Sequence, residues 1–370
     1  MIKVLFLLGT RPEAIKLAPV IKAFNESALF DTKICSTSQH REMLDQVLAF
    51  FQINVDFDLN LMRPNQTLAG LTAEIVSQVS SVLKTVEPDW LVVQGDTTTA
   101  LAGAMAGFYE KVKVVHVEAG LRSFDMQSPF PEEMNRVIIS KLASCHFCPT
   151  EKSTRNLRLE GITNNVYCVG NTVVDAVVEG FKVIQHSDQS VYFSFFKNID
   201  FTKKIILVTC HRRESFGEPF KEICEALRQL VEHRSEYQIV YPVHLNPNIQ
   251  TVAKQHLQHP SIMLLEPLSY PFLLWLMSKS TIILTDSGGI QEEAPSLQKP
   301  VLVLRSVTER TEGIEAGTAI LVGTDKRKIV EESILLLENE THYNSMISKS
   351  NPYGDGHAAI RMLETMKKIS

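Results

Sequence analysis

Residues 282–293 read IILTDSGGIQEE, and this stretch decides the expected fold. A short apolar run ends in Asp286 and Ser287, after which Gly288 and Gly289 lead into a helical segment. A strand that turns directly into a helix is typical of a parallel sheet with crossover helices. Backbone N–H groups at such a helix start, with glycines allowing close approach, suit a bound diphosphate. The same residues also fit a plain Ser287 N-cap with close strand–helix packing, so the pattern leaves both interpretations open.

The alternation of apolar runs with longer amphipathic stretches continues along the whole chain. The candidate strands are 2–8, 31–36, 90–94, 112–117, 145–148 and 166–168 in the first half, and 204–210, 238–241, 262–264, 282–284, 301–304 and 319–321 in the second. We therefore expect an α/β protein of two Rossmann-like, doubly wound domains that face a cleft. The expected domains are 1–170 and 171–354, and 355–370 is expected to be a capped helix able to pack back on the first domain.

Composition excludes several classes of protein. The 370 residues are 44% hydrophobic and 21% charged, which excludes a disordered chain and a coiled coil. A net charge of −5 gives no general footprint for nucleic acid. The apolar runs are far shorter than the roughly 18 residues that a membrane span needs. Because the N-terminus resembles a first strand more than a signal peptide, a cytoplasmic protein is expected.

The cysteines and glycines give little sign of a cofactor. Cys145-His146-Phe147-Cys148 has the spacing of half a zinc site, but no second pair follows, so a buried strand is favoured and no metal is expected. Neither a Gly-x-Gly-x-x-Gly after a strand nor a Gly-Lys-Ser/Thr P-loop occurs. This argues against a nicotinamide redox enzyme and against an NTPase.

Polar clusters follow five of the candidate strands. They are GTRPE at 9–13, QGDTTT at 94–99, HVEAGLRS at 116–123, CHRRES at 210–215 and TDSGG at 285–289. Ligands of open α/β sheets bind outside the carboxyl ends of the strands, so these clusters predict one ligand cleft built from both domains. Arg11 can neutralise a phosphate there by a forked hydrogen bond, or can instead pair with Asp96 or Glu118 as part of the scaffold.

Several long motifs carry a resemblance to a known family. They include GTRPEAIKLAPV from Gly9, QHREMLDQVL from Gln39, HVEAGLRS from His116, PFPEEMNR from Pro129, HRRESFG from His211, TDSGGIQEEAPSL from Thr285 and TERTEGIEAGT from Thr308. Over essentially its whole length the chain resembles the bacterial non-hydrolysing UDP-N-acetylglucosamine 2-epimerases. The resemblance implies a glycosyltransferase-B architecture, a homodimer, and interconversion of UDP-GlcNAc and UDP-ManNAc without a redox cofactor.

The chemistry of that reaction explains which side chains it needs. The proton at C2 lies beside an acetamido group and has no carbonyl to acidify it, so direct removal at neutral pH is too slow. Expulsion of UDP from C1 makes this proton removable and gives 2-acetamidoglucal, and re-addition completes the inversion. The route requires a firmly held anionic leaving group and acid/base groups near opposite faces of the sugar.

The resemblance places twelve residues at this chemistry. Asp96, Glu118 and Glu132 are the candidate proton carriers, and His211 donates a proton or a hydrogen bond to the departing phosphate. The predicted substrate-binding residues are Arg11, Lys16, Arg136, Ser287, Gly288, Gly289, Glu293 on the ribose, and Arg310 near the diphosphate. For each carboxylate the alternative is an ion-paired scaffold residue that holds Arg11 or Arg122.

Other activities and a second ligand are also considered. A hydrolysing relative would release free ManNAc, and a glycosyltransferase would need an acceptor pocket where the three carboxylates crowd; a non-enzymatic sensor has no use for proton carriers. Some members of the family bind a second UDP-GlcNAc as an activator through the stretch matching Gln39 and His40. Here Glu42 and Asn65 lower the positive charge at that stretch and put activation in doubt. Residues 267–273 are expected to contact the uracil.

Overall fold

The structure is a computed structural model that describes residues 1–38, 41–63, 66–212 and 215–370. The chain divides into two compact units. The first comprises Met1–Ala176 together with Gly354–Ser370, and the second is Val177–Tyr353. The family resemblance implies that residues 1–170 supply the sugar and acid/base residues and that residues 171–354 bind UDP, and both roles remain predictions.

The first unit is built on a seven-stranded parallel sheet. Its strands are β1 Ile2–Leu8, β2 Phe30–Ser36, β3 Phe57–Asp58, β4 Trp90–Gln94, β5 Lys113–Val117, β6 Cys145–Cys148 and β7 Val166–Cys168. They lie in the order β3-β2-β1-β4-β5-β6-β7, and all neighbours are parallel. The strand order reverses between β1 and β4, and such a switch point is where open α/β sheets bind ligands.

Helices connect these strands. They are α1 Arg11–Asn25, α2 Arg41–Phe50, α3 Leu68–Val86, α4 Thr98–Tyr109, α5 Glu132–Leu142, α6 Glu151–Leu159 and α7 Thr172–His186. The first helix starts with a capping box between Thr10 and Glu13, with Pro12 in its first turn. Threonine side chains cap α3, α4 and α6 in the same way, which explains why each begins where it does.

The second unit repeats this plan with six parallel strands. They are β8 Lys204–Thr209, β9 Tyr237–Pro242, β10 Ile262–Leu265, β11 Ile282–Thr285, β12 Val301–Val303 and β13 Ala319–Leu321, in the order β10-β9-β8-β11-β12-β13. Its helices are α8 Ser190–Phe195, α9 Glu218–His233, α10 Pro247–His256, α11 Tyr270–Lys279, α12 Gly288–Glu293, α13 Thr311–Ala316, α14 Lys326–Glu338 and α15 Glu340–Ile347. Here the strand order reverses between β8 and β11. The expected fold class, two doubly wound parallel sheets, is confirmed.

The last helix, α16 Ala358–Ile369, returns to the first unit and packs against α1. The backbone N–H of Ala359 donates to the buried Asp175 carboxylate at 2.9 Å. Arg361 forms a forked pair with Asp355 at 2.8 and 2.6 Å and also donates to the Val169 carbonyl. The segment is thus held by several polar contacts as well as by apolar packing.

Two further predictions concern membrane spans and a metal site at Cys145–Cys148. Across the described ranges, no helix is long and apolar enough to cross a bilayer, and no group of three His, Cys, Asp or Glu side chains is arranged to hold a metal. The Cys145–Cys148 segment forms the buried strand β6. Burial raises the pKa of both Cys145 and Cys148 to about 12, so these thiols are protonated at neutral pH.

Candidate active site

A buried carboxylate joins the loops that follow β1 and β4. Glu13 is 1% exposed, and its Oε2 accepts the backbone N–H groups of Gly9 at 3.0 Å and Thr10 at 2.7 Å. Its Oε1 accepts the hydroxyl of Thr97 at 2.6 Å. Burial raises the pKa of Glu13 in spite of these donors. Because Thr97 directly follows Asp96, Glu13 fixes the spacing of the two loops at the switch point.

The loop that carries Asp96 is also held from β5 and α5. His116 Nε2 lies 2.8 Å from the Gly95 carbonyl, and Asn135 donates to the carbonyl of Asp96 at 2.7 Å. Arg136 donates to Asp96 Oδ2. The Asp96 side chain keeps 27% of its surface exposed. A carboxylate that is firmly positioned and still accessible suits a proton carrier.

Glu118 lies at the end of the neighbouring strand β5 and is 8% exposed. Lys16 Nζ lies 2.7 Å from both of its carboxylate oxygens, and Gln94 donates to Oε2. The structure therefore places Lys16 on Glu118. The expected contact between Lys16 and a diphosphate stays a prediction.

Arg11, at the start of α1, is partly buried. Among the described residues, no hydrogen bond or ion pair involves its guanidinium group. The scaffold alternative paired Arg11 with Asp96 or Glu118, but the structure pairs these carboxylates with Arg136 and Lys16. Arg11 thus stays available for an anionic ligand.

Two adjacent glutamates at the start of α5, Glu132 and Glu133, have different environments. Glu133 is 1% exposed and accepts the backbone N–H groups of Ser123 at 2.9 Å and Phe124 at 3.0 Å, as well as Arg136 at 3.1 Å. Glu132 is partly exposed, and within the part of the chain that the structure describes its carboxylate makes no hydrogen bond or ion pair. Glu133 therefore supports the loop, whereas Glu132 remains free to act as a proton carrier.

Arg122 has a different partner from the one considered in the scaffold alternative. It forms a forked pair with Glu160 at 2.6 and 2.9 Å, and this pairing lowers the pKa of the Glu160 carboxyl. Its guanidinium also donates to the hydroxyl of Ser140 at 2.9 Å. None of the three candidate proton carriers among the described residues is therefore paired with Arg122.

Two buried histidines lie beneath these carboxylates. His116 on β5 and His146 on β6 are register partners and are 0% and 2% exposed. Burial lowers the pKa of His116 to about 3 and that of His146 to about 4. Both rings are thus neutral at neutral pH, and His116 acts as a neutral donor to the Gly95 carbonyl.

In the second unit, Asp286 joins the loops after β8 and β11. The Asp286 side chain is fully buried, and its Oδ2 accepts the backbone N–H groups of His211 and Arg212, both at 2.7 Å. Its Oδ1 lies 3.0 Å from His211 Nδ1. Beneath this contact, the hydroxyls of Thr209 and Thr285 are hydrogen-bonded at 2.6 Å. His211, the predicted partner of the leaving phosphate, is therefore fixed at the switch point of this sheet.

The predicted diphosphate residues of the second unit lie together at the start of α12. The guanidinium of Arg310 packs over the Cα of Gly288, where a Cβ would come within 3.2 Å of Cζ. Arg310 is itself oriented by Glu292 and Glu309, each at 2.9 Å. Burial alone would raise the pKa of Glu309, but Arg310 and Arg305 lower it to about 2. The Glu293 carboxylate turns back toward Gly289.

Some of these residues were not assigned a role from sequence. Glu13 could have been found there, because Thr10-x-x-Glu13 is a capping-box signature. The contacts of Gln94 and Asp286 join residues 24 and 75 positions apart, and no local pattern reveals them. The prediction of a second, activating UDP-GlcNAc concerns Gln39, His40, Asn65 and the side chain of Glu42, which lie outside the described residues. The segment 267–273 enters α11, with Tyr270 buried.

Comparison with known proteins gives a consistent result. The sequence model of the family described as UDP-N-acetylglucosamine 2-epimerase matches residues 22–367. The UDP-N-acetylglucosamine 2-epimerase of Escherichia coli (strain K12) is 50% identical over 369 residues, which cover 99% of this chain and 98% of that protein.

Solved structures agree with the sequence relatives. The UDP-GlcNAc 2-epimerase of Neisseria meningitidis bound to UDP-GlcNAc has a TM-score of 0.92 and 46% identity, covering 99% of this chain and 100% of that one. The Methanocaldococcus jannaschii UDP-GlcNAc 2-epimerase in complex with UDP-GlcNAc and UDP has a TM-score of 0.82 and 34% identity over the same shares of the two chains. The full-length match in sequence and fold shows that this chain belongs to the UDP-N-acetylglucosamine 2-epimerase family.

Proposed function

We propose that the protein interconverts UDP-GlcNAc and UDP-ManNAc by eliminating UDP to 2-acetamidoglucal and adding it back. The observation that carries the proposal is the placement of Asp96 and Glu118. They follow neighbouring strands, and each is held by a cation, Arg136 and Lys16 respectively. Two fixed carboxylates at adjacent strand ends supply the pair of acid/base groups that inversion at C2 requires. The UDP-N-acetylglucosamine 2-epimerases of Escherichia coli and Neisseria meningitidis, which match 99% of this chain, support the same reaction.

The first step is an elimination. One of Asp96, Glu118 and Glu132 removes the proton from C2, the C1–O bond to UDP breaks, and its electron pair leaves with the diphosphate while a C1=C2 bond forms. In the second step another of the three returns a proton to C2 from the opposite face, and a diphosphate oxygen bonds again to C1. No electrons are gained or lost overall, so the reaction needs no redox cofactor.

The leaving diphosphate must be stabilised as its charge develops. Arg11 and Arg310 supply positive charge, and His211 supplies a proton or a hydrogen bond. The Ser287 hydroxyl and the N–H groups of Gly288 and Gly289 supply neutral donors, and Glu293 takes the ribose hydroxyls. The Arg310 guanidinium over Gly288 supports this assignment, since both belong to one small region of the second unit.

The test is incubation of the protein with UDP-GlcNAc in D₂O, followed by NMR. The expected result is UDP-ManNAc, with deuterium at C2 of both nucleotide sugars and no nicotinamide added. Free ManNAc as the main product would instead favour a hydrolysing enzyme, and absence of turnover without an acceptor would favour a transferase. Retention of protium at the inverted carbon contradicts the elimination route.

The state of the protein in the cell belongs to the same proposal. We propose a cytoplasmic homodimer with no metal and no nucleic-acid partner. The family resemblance supports the dimer. The short apolar runs support the location, as do the six cysteines, which are unpaired and, except for Cys168, buried, as is usual in a reducing compartment. Light scattering with size-exclusion chromatography tests the dimer directly, and a monomer of 41.6 kDa would overturn it.

A further inference from the structure

The charge state of Asp286 points to its neighbour His211. The carboxylate is fully buried, and a buried charge is stable only when it is paired or hydrogen-bonded. Its Oδ2 has two backbone donors, but its Oδ1 has no aligned hydrogen-bond donor among the described residues. Among the described residues, the one side chain in an ion-pair contact with this carboxylate is the His211 ring, whose Nδ1 lies 3.0 Å from Oδ1. Oδ1 therefore faces a group that is stabilised there when it carries a proton.

The ring stacked on His211 has the opposite arrangement. His244 lies with its ring centroid 5.7 Å from that of His211 at an interplanar angle of 24°. Its Nδ1 accepts the backbone N–H of Asn246 at 3.1 Å, so this nitrogen carries no proton. Partial burial and the nearby His211 lower the pKa of His244, which keeps it neutral at neutral pH. Of the two stacked rings, only His211 contacts a carboxylate of a described residue.

The balance of forces on Asp286 agrees with a charged pair. Burial alone would raise the pKa of its carboxyl, but the His211 ring and the two N–H donors outweigh burial and hold the pKa below its ordinary value. Within the described ranges, the other titratable groups around the pair are His244, the buried Cys210 and the neighbouring Arg212. The pKa of Cys210 is raised by burial, and that thiol is protonated at neutral pH.

We propose that Asp286 is a positioning residue that keeps His211 protonated at Nδ1 and so turns its Nε2–H toward the departing diphosphate. The His211 side chain is 40% exposed, and Nε2 is the ring nitrogen that does not contact the carboxylate. Such a pair stabilises the imidazolium that donates to a developing anion. The inference rests on the proposed function, because it requires His211 to contact the leaving group.

Asp286→Asn separates this role from loop support. The amide oxygen of asparagine can still accept the two backbone N–H groups, while its NH₂ group replaces the charged oxygen beside Nδ1. We expect kcat for epimerisation to fall roughly 100-fold with little change in KM. The alkaline limb of the pH profile should move down by about one pH unit or more, because the imidazolium loses its counter-charge. Asp325→Asn, an N-cap substitution in the same unit, is the matched control and should leave both unchanged.

A double-variant comparison shows whether Asp286 acts through the ring. In a His211→Asn background, Asp286→Asn should cause no further loss, because there is no imidazole left to position. Additive losses, or an Asp286→Asn enzyme of normal activity beside an inactive Asp286→Ala enzyme, would mean that the carboxylate only supports the loop and would overturn the proposal.

NMR of the imidazole nitrogens separates this inference from the proposed function. The probe is ¹⁵N-histidine-labelled protein with UDP, compared between the wild type and Asp286→Asn. The expected result is a His211 titration that moves to lower pH in the variant. If that shift occurs in a protein without epimerase activity, the charged pair is correct but the proposed function fails. If epimerisation proceeds and neither the titration nor the pH profile moves, the positioning role is wrong.

Discussion

Each unit ties the two loops at its switch point together with a buried carboxylate, but the two carboxylates have different partners. Glu13 in the first unit accepts only neutral donors, two backbone N–H groups and the Thr97 hydroxyl, and its pKa is raised by burial. Asp286 in the second unit faces a histidine, and its pKa is lowered. In the first unit, the carboxylate that supports the loops is thus a different residue from the predicted proton carriers, whereas in the second unit the carboxylate that supports the loops also lies beside His211.

The largest expected effect comes from Asp96, a predicted proton carrier of the first unit. Asp96→Asn keeps the shape of the side chain but removes its charge, so we expect turnover to fall by about 1,000-fold or more. UDP affinity, measured by calorimetry, should change little. Asp31→Asn, at the opposite end of the same sheet, is the matched control. Unaltered turnover of Asp96→Asn would remove this residue from the mechanism.

The second prediction concerns Arg11 and Lys16, two cations of α1 with different surroundings: Lys16 pairs with Glu118, whereas no hydrogen bond or ion pair of Arg11 exists among the described residues. Lys16→Met removes the cation beside Glu118, and we expect a roughly 100-fold lower kcat with a shifted pH profile and nearly normal UDP affinity. Arg11→Met should instead weaken UDP binding roughly 10-fold, because Arg11 is expected on the diphosphate. Equal losses of UDP affinity in the two variants would place both cations on the nucleotide.

The neutral histidines of the first unit give a prediction for stability against pH. His116 has a pKa of about 3 in the folded protein and an ordinary value near 6.5 when unfolded, so in this range only the unfolded chain binds its proton. Stability therefore falls as the pH falls below about 6.5. His116→Gln lacks this pH-dependent loss of stability. The difference in the free energy of unfolding between wild type and His116→Gln should therefore decrease by about 2 kcal/mol from pH 7 to pH 5. Urea unfolding measures the difference, and a constant value contradicts burial of a neutral ring.

The smallest expected effect concerns the hydrogen bond from Thr97 to Glu13. The Thr97 hydroxyl both caps α4 through Ala100 N–H and donates to Glu13, so Thr97→Val should lower the free energy of unfolding by about 1–2 kcal/mol. Thr97→Ser keeps the hydroxyl and is the matched control. If the two variants are equally stable, the hydrogen bond between the loops contributes nothing measurable.

Local patterns predicted the fold and the positions of the strand-end residues well. Short apolar runs marked twelve of the strands, and the described polar residues after β1, β4, β8 and β11 lie in the loops at the two switch points. The two-residue strand β3 was missed, because Phe57–Asp58 is too short to show any periodicity.

The partners of these residues were harder to predict. Lys16 meets Glu118 across 102 positions of sequence, and this pairing depends on how the helix after β1 lies over β4 and β5. Arg136 was predicted to be a substrate-binding residue, and the structure shows it paired with Asp96 and Glu133. Sequence therefore indicated which side chains gather at the strand ends, but the choice among nearby charges of opposite sign required the three-dimensional arrangement.

The return of α16 to the first unit has a consequence for biosynthesis. Residues 354–370 leave the ribosome after the entire second unit, although they contact α1 and Asp175, which are both synthesised before that unit. The second unit can close its own sheet while the first still waits for its final helix. During translation the apolar face of α1 that α16 covers therefore stays uncovered for the time needed to make more than half of the chain.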